Sequence, residues 1–176
     1  MKLLLASASP RRRELLASVC EFEVVPSLFA EEDAGSAEET VLKNARGKAL
    51  DVLARFPEER VIGADTAVAL GGVILGKPKD SSDAERMLRF LSGKTHSVFT
   101  GVCLADRNGI RETVVETKVL FKKLSKKTIK EYVLSGAPLD KAGAYGIQDG
   151  VVVKSYEGSY TNVMGLPMET VTEMLL

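Results

Sequence analysis

Apolar positions along this chain fall into short unbroken or alternating runs, separated by stretches where they recur every three or four residues. The first pattern predicts strands and the second amphipathic helices. Residues 2–6 form a short apolar strand, and residues 10–19 a helix with Ser9 as N-cap and Pro10 in the favoured first position. Residues 21–26 read as a second strand. A long helix opens at Ser36 and reaches Phe56, with Leu42, Ala45, Ala49, Val52, Leu53 and Phe56 along one stripe. Ser36 and Glu39 have the spacing of a capping box. Lys48 sits beside the stripe, placed either to snorkel to water or to point into a cleft.

Val61-Ile62 is a strand that runs into Gly63-Ala64, read as a small-residue turn that delivers Asp65 and lets the backbone approach a ligand. Residues 67–70 and 73–75 flank Gly71-Gly72, a two-residue hairpin signal. Residues 81–91 form a helix. Residues 93–105 and 110–122 form long alternating strands joined at Asp106-Arg107-Asn108-Gly109. A helix over 125–135, a small-residue loop over 140–148, a strand over 151–156 and a helix from Pro167 complete the chain. Strands interleaved with helices, with no repeat or linker, predict one α/β domain over residues 1–176.

Composition narrows the function classes. The 24 basic residues balance the 24 acidic ones, so the basic surplus of a protein that wraps nucleic acid is missing. No nucleic-acid partner is expected. Cys20 and Cys103 are far apart and His96 is the only histidine, which fits neither a zinc site nor a disulfide framework. The apolar run at the start is very short and Arg11-Arg12-Arg13 follow it, so it reads as neither signal peptide nor membrane span. A soluble cytoplasmic protein with no membrane partner is the expectation.

The candidate chemistry is that of anions. Three arginines crowd the first turn of the first helix, where the dipole favours acids. That placement makes sense if a phosphate sits among them on the helix N-terminus. Successive helical residues point about 100° apart, so the three cannot all face one ligand. Arg12, Lys48 and Lys77 are candidate partners for phosphate oxygens. Asp65 and Glu32 are candidate carboxylates for a hard divalent cation. Such a set suits metal-assisted hydrolysis of a nucleotide polyphosphate. The G-x-x-x-x-G-K-[ST], G-x-G-x-x-G and G-x-S-x-G motifs are absent, and His96 reads as a packed or solvent-facing residue.

Six stretches sharpen this reading: LASASPRRRELL, VIGADT, LGKP, LSGKTHSVFTGV, LDKAGAYGIQ and GSYTNVMGLP. Together, in this order, they resemble the Maf family of nucleoside triphosphate pyrophosphatases, over nearly the whole chain. The resemblance implies a two-lobed, inosine-triphosphatase-like α/β fold with an elongated mixed sheet and a cleft between lobes. It implies cleavage of a nucleoside triphosphate to monophosphate and pyrophosphate with a divalent metal, Mg²⁺ or Mn²⁺. Asp65 matches the family's proton acceptor. Arg12, Thr66 and Gln148 match positions tied to substrate choice, and Ser9, Glu32, Lys48 and Lys77 match polar residues of the cleft. Asp140-Lys141-Ala142-Gly143-Ala144-Tyr145-Gly146-Ile147-Gln148 resembles the branch acting on dTTP and UTP. Asp149-Gly150-Val151 then follows where a longer glycine-rich stretch is usual, a shortening beside the base. The resemblance also implies a homodimer, and the alternatives it carries are a binding role in septum formation and a purine pyrophosphatase acting on inosine or 7-methylguanosine triphosphate.

Overall fold

The computed structural model describes residues 1–176. Its strands are β1 (Leu3–Leu5), β2 (Glu23–Val24), β3 (Arg60–Leu70), β4 (Val73–Leu75), β5 (Thr95–Asp106), β6 (Gly109–Phe121) and β7 (Val153–Glu157). Its helices are α1 (Pro10–Ala17), α2 (Ala37–Arg55), α3 (Ser81–Leu91), α4 (Lys126–Leu134), α5 (Tyr160–Met164) and α6 (Met168–Leu175). The seven strands form one mixed sheet in the order β2-β1-β3-β5-β6-β7, with β4 paired to β3. The parallel pairs lie at the β2-β1-β3 end, and the long β3, β5 and β6 run antiparallel. The expected α/β class and elongated mixed sheet are present.

Several elements follow from local sequence alone. Ser9 Oγ accepts from Arg12 N, and the Ser36–Glu39 capping box closes in both directions. Gly71 and Gly72 both take positive φ, +57° and +79°, as a two-residue hairpin turn requires. Strand β1 is buried on both faces, as parallel strands under two layers are. Leu4 packs with Ala45, Ala49 and Val52 of α2, and Leu5 packs with Leu16 and Leu166 on the opposite face.

The core divides along the sheet into two lobes. One cluster gathers Leu88 and Leu91 of α3, Ile129 and Tyr132 of α4, and Val119 and Phe121 of β6. The others lie toward β1, sandwiching the sheet between α2 and the α1–α6 layer. No helix is long and apolar enough to cross a membrane.

The central motif is built differently from the sequence expectation. Gly63-Ala64-Asp65 is not a turn at a strand end. It lies inside β3, with Asp65 opposite Gly101 of β5. A Cβ on Gly63 would stand 2.2 Å from Ala45 O and 2.7 Å from Ala49 N, and one on Gly101 2.4 Å from Val41 O. These glycines therefore admit the backbone of α2, not that of a ligand. The second strand shrinks to two residues, and α5 occupies a stretch for which no helix was expected.

Candidate active site

A cavity of about 440 Å³ opens between the lobes. Its wall is drawn from Ser9, Arg11 and Arg12 of the first turn, Glu31 and Glu32, Asn44 of α2, Asp65 and Thr66 of β3, Lys77, and the loop carrying Gln148. A second cavity of about 390 Å³ shares Ser9, Arg11, Arg12, Glu31 and Lys77 with it and adds Lys48 and the 6–10 turn. Every position expected from the sequence thus lies on one of two adjoining cavities. The structure adds Glu31, Arg11 and Asn44.

Asp65 is held from both sides. Its Oδ1 receives Lys48 Nζ at 2.8 Å and its Oδ2 receives Asn44 Nδ2 at 3.0 Å. Lys48 and Asn44 stand one turn apart on α2, and both are buried. A carboxylate desolvated in this way is tolerated because donors on both oxygens replace its water. Asn44 Oδ1 in turn accepts the Glu32 N–H at 2.9 Å, tying the acidic loop to α2 and, through Asp65, to β3.

Lys48 Nζ also donates to Glu31 Oε1 at 2.6 Å, so it joins two carboxylates. Burial pushes the Glu31 carboxyl up, but the Lys48 hydrogen bond and charge, with Lys77 and Arg12 beyond, hold it below its ordinary value. Glu32, the neighbour expected from the sequence, also lines the cavity but is ion-paired with Lys43. Reading the run Glu31-Glu32-Asp33 from sequence gives no means of choosing between the first two, since the loop path decides which faces Lys48.

The arginines divide as the helical geometry requires. Arg13 points away, onto a different surface groove. Arg12 is half-buried and donates to Gly165 O at 2.7 Å, Thr66 Oγ1 at 3.1 Å and Ser7 Oγ at 3.3 Å. Burial draws its guanidinium down from the ordinary value, while Asp65 and Glu31 favour its charge. Arg12 therefore knits α1 to β3 and to the end of α5. Thr66 passes the connection on to Thr100 at 2.9 Å, and Thr100 to Asn162 O at 3.1 Å. Arg11 reaches across the mouth to Asp140 of the other lobe at 2.9 Å. Lys77 is exposed on the cavity wall and makes no ion pair.

The far wall is the loop between α4 and β7. His96 is neither solvent-facing nor positioned for catalysis. It is buried, its Nε2 lies 2.7 Å from Tyr145 Oη, and with Phe121 it forms an edge-on aromatic cluster beneath the loop. Gln148 stands exposed at the cavity with its amide unbonded to protein. Beside it the wall turns apolar through Val68, Ile74 and Met164.

Nowhere do three His, Cys, Asp or Glu side chains gather as a metal cluster. What the cavity offers is Asp65 together with the Glu31–Glu32 pair. One or two carboxylates completed by substrate phosphates and water is how a hard, strongly hydrated cation is commonly held, so the residues fit.

The chain matches the family described as "Maf-like protein" over residues 2–176. It is 44% identical to a protein of Pyrococcus furiosus named dTTP/UTP pyrophosphatase, over 178 residues covering 99% of this chain and 94% of that protein. It is 48% identical over 180 residues to a protein of the same name from Geotalea uraniireducens, covering 98% and 93%. A third of that name, from Geobacter sulfurreducens, is 49% identical over 181 residues, covering 99% and 95%.

Proposed function

This chain belongs to the Maf-like protein family, and we infer that it is a nucleoside triphosphate pyrophosphatase acting on dTTP and UTP, as its relatives are named. The observation that carries the chemistry is Asp65, held by Lys48 and Asn44 on a cavity that sets Arg11, Arg12 and Lys77 beside Glu31 and Glu32.

The triphosphate lies along the 6–10 turn and the N-terminus of α1, toward Arg11 and Lys77, and the base lies against Gln148. Lys77 is a point charge free to meet phosphate oxygens. Arg12 acts on substrate choice through Thr66 and Ser7, whose hydroxyls it orients, and Ser9 frames the same turn. Asp65 orients a water and takes its proton as the water oxygen attacks the α-phosphorus. The bond from that phosphorus to the bridging oxygen breaks, leaving nucleoside monophosphate and pyrophosphate. Lys48 keeps the carboxylate in place and offsets its charge. Asp65 and Glu32, with Glu31 beside them, would hold the cation, Mg²⁺ or Mn²⁺. When bound, it neutralises phosphate charge.

The test is hydrolysis of a panel of nucleoside triphosphates in ¹⁸O-water with Mg²⁺ or Mn²⁺, with all products resolved. UTP and dTTP should give equimolar monophosphate and pyrophosphate, with the label on the monophosphate. Diphosphate with orthophosphate, or label in the pyrophosphate, would overturn the mechanism. Preference for inosine or 7-methylguanosine triphosphate would overturn the pyrimidine assignment.

A further inference from the structure

Gln148 makes no bond to protein through its side chain, so its direction depends on the backbone that carries it. That backbone is a single 3₁₀ turn, Ile147–Asp149. One phenol fixes both of its flanks. Tyr132 Oη accepts the Gly146 N–H at 3.0 Å and donates its own proton to Asp149 Oδ2 at 2.5 Å. A ring is thereby closed from residue 146 through Oη to residue 149, with Gln148 inside it. Tyr132 projects from α4 into the same core as Ile129 and Val133 and is 5% exposed, so the ring is anchored to packed structure. Burial pushes the phenol up from its ordinary value and the Asp149 bond pushes further, which keeps its proton available to donate.

Space at Gly146 completes the arrangement. A Cβ there would lie 2.8 Å from Lys141 Cε, 2.9 Å from Asp149 Oδ2 and 3.1 Å from Gln148 Cδ. Three side chains close over this α-carbon, and the Gln148 amide is one of them. Gly146 has φ −117°, which any residue adopts, so the glycine answers to packing and not to backbone strain. Lys141 meets the ring from below, bonding Ala137 O and standing 4.0 Å from Asp149.

Resting on the pyrophosphatase reading above, we propose that Tyr132 and Asp149 are positioning residues for base selection, holding Gln148 at the angle at which its amide reads a pyrimidine. Neither side chain touches the reacting phosphates. Loss of the ring leaves Asp65, Lys48 and Lys77 as they are and frees only the base-reading turn. The effect belongs to KM and to discrimination between bases, with kcat nearly unchanged.

The experiment compares wild type, Tyr132→Phe and Asp149→Ala on UTP, dTTP, GTP and base-free ribose 5′-triphosphate, with melting temperatures alongside. Asp149→Asn, which keeps an oxygen to accept the phenol proton, serves as the conservative rescue. Tyr132→Phe and Asp149→Ala should each raise KM for UTP and dTTP about tenfold, roughly the loss of one hydrogen bond to a charged group. Ribose 5′-triphosphate should be hydrolysed as by wild type, and the double variant should lose no more than either single one. Asp149→Asn should recover most of the affinity. Equal losses on the base-free substrate, or unchanged KM in both variants, would overturn the inference while the wild-type products still stand. Should Tyr132→Phe fail to fold, Asp149→Ala, altering a side chain near the surface, decides alone. Failure of wild type to release pyrophosphate from UTP or dTTP would overturn the functional reading and this inference together.

Discussion

The ammonium of Lys48 stands 2.8 Å from Asp65 Oδ1, with the two side chains only 11% and 12% exposed. They come from different elements, α2 and β3, and meet because Gly63 and Gly101 let α2 lie directly on the sheet. Removing Lys48 leaves the desolvated Asp65 carboxylate without a cation and with Asn44 as its side-chain donor. Lys48→Met should lower stability by about 3 kcal/mol, near the lower end for a broken buried pair, since Asp65 keeps its Asn44 donor. Urea unfolding checks this, and the Lys48→Met/Asp65→Asn double variant should recover part of the loss.

Asp65→Asn keeps the shape and removes the base. Turnover of UTP should fall by roughly 10² or more, with the fold intact, because Lys48 retains Glu31 as partner. Pyrophosphate release and a melting curve measure the two halves. Near-normal turnover would reduce Asp65 to a structural acid.

Gly63→Ala sets a methyl against the backbone of α2, which cannot swing aside, and should destabilise by about 3 kcal/mol or more. Gly76→Ala meets nothing within 4 Å and should shift the melting temperature little.

Burial draws the His96 imidazole down to about 4 from its ordinary 6.5. The unfolded chain therefore binds a proton that the folded chain refuses between those values. This contribution to stability is complete above about pH 6.5 and is lost as the pH falls toward 4. Between pH 7 and pH 5 it amounts to about 2 kcal/mol by the same linkage. His96→Gln should show a shallower fall in urea-unfolding free energy over that interval, and parallel curves would refute the assignment.

Gln148 is the residue proposed to read the base. A uracil or thymine edge sets a carbonyl beside an N–H, which an amide complements with a donor and an acceptor. Gln148→Glu removes the donor and should lower kcat/KM for UTP and dTTP by about tenfold to a hundredfold, with CTP affected less. Equal losses on UTP, dTTP, CTP and GTP would mean that Gln148 supports the loop without reading the base.

What the sequence determined is what depends on neighbours a few residues apart. The Ser36–Glu39 capping box, the Ser9 cap, the Gly71-Gly72 hairpin and the extents of β5 and β6 are written locally and formed where expected, but β5 does not alternate, since residues 98–105 are all buried. The family resemblance implied roles for Asp65 and Gln148, and both line the same cavity. The local signal for α5 was weaker, because five residues capped by Ser159 leave too little periodicity to detect.

Tertiary structure alone decided which of two equivalent neighbours meets Lys48. Glu31 and Glu32 are chemically alike, and only the path fixed by the Asn44 bond to the Glu32 N–H turns Glu31 onto Lys48. Arg11 spans the lobes while Arg12 is sunk between Thr66 and Gly165, a division set by the rotation of α1 against β3. Gly63-Ala64 looked like room for a ligand and proved to be room for a helix. Small residues in a sequence record that something comes close, but its identity depends on contacts between segments far apart in the chain, which local periodicity does not encode.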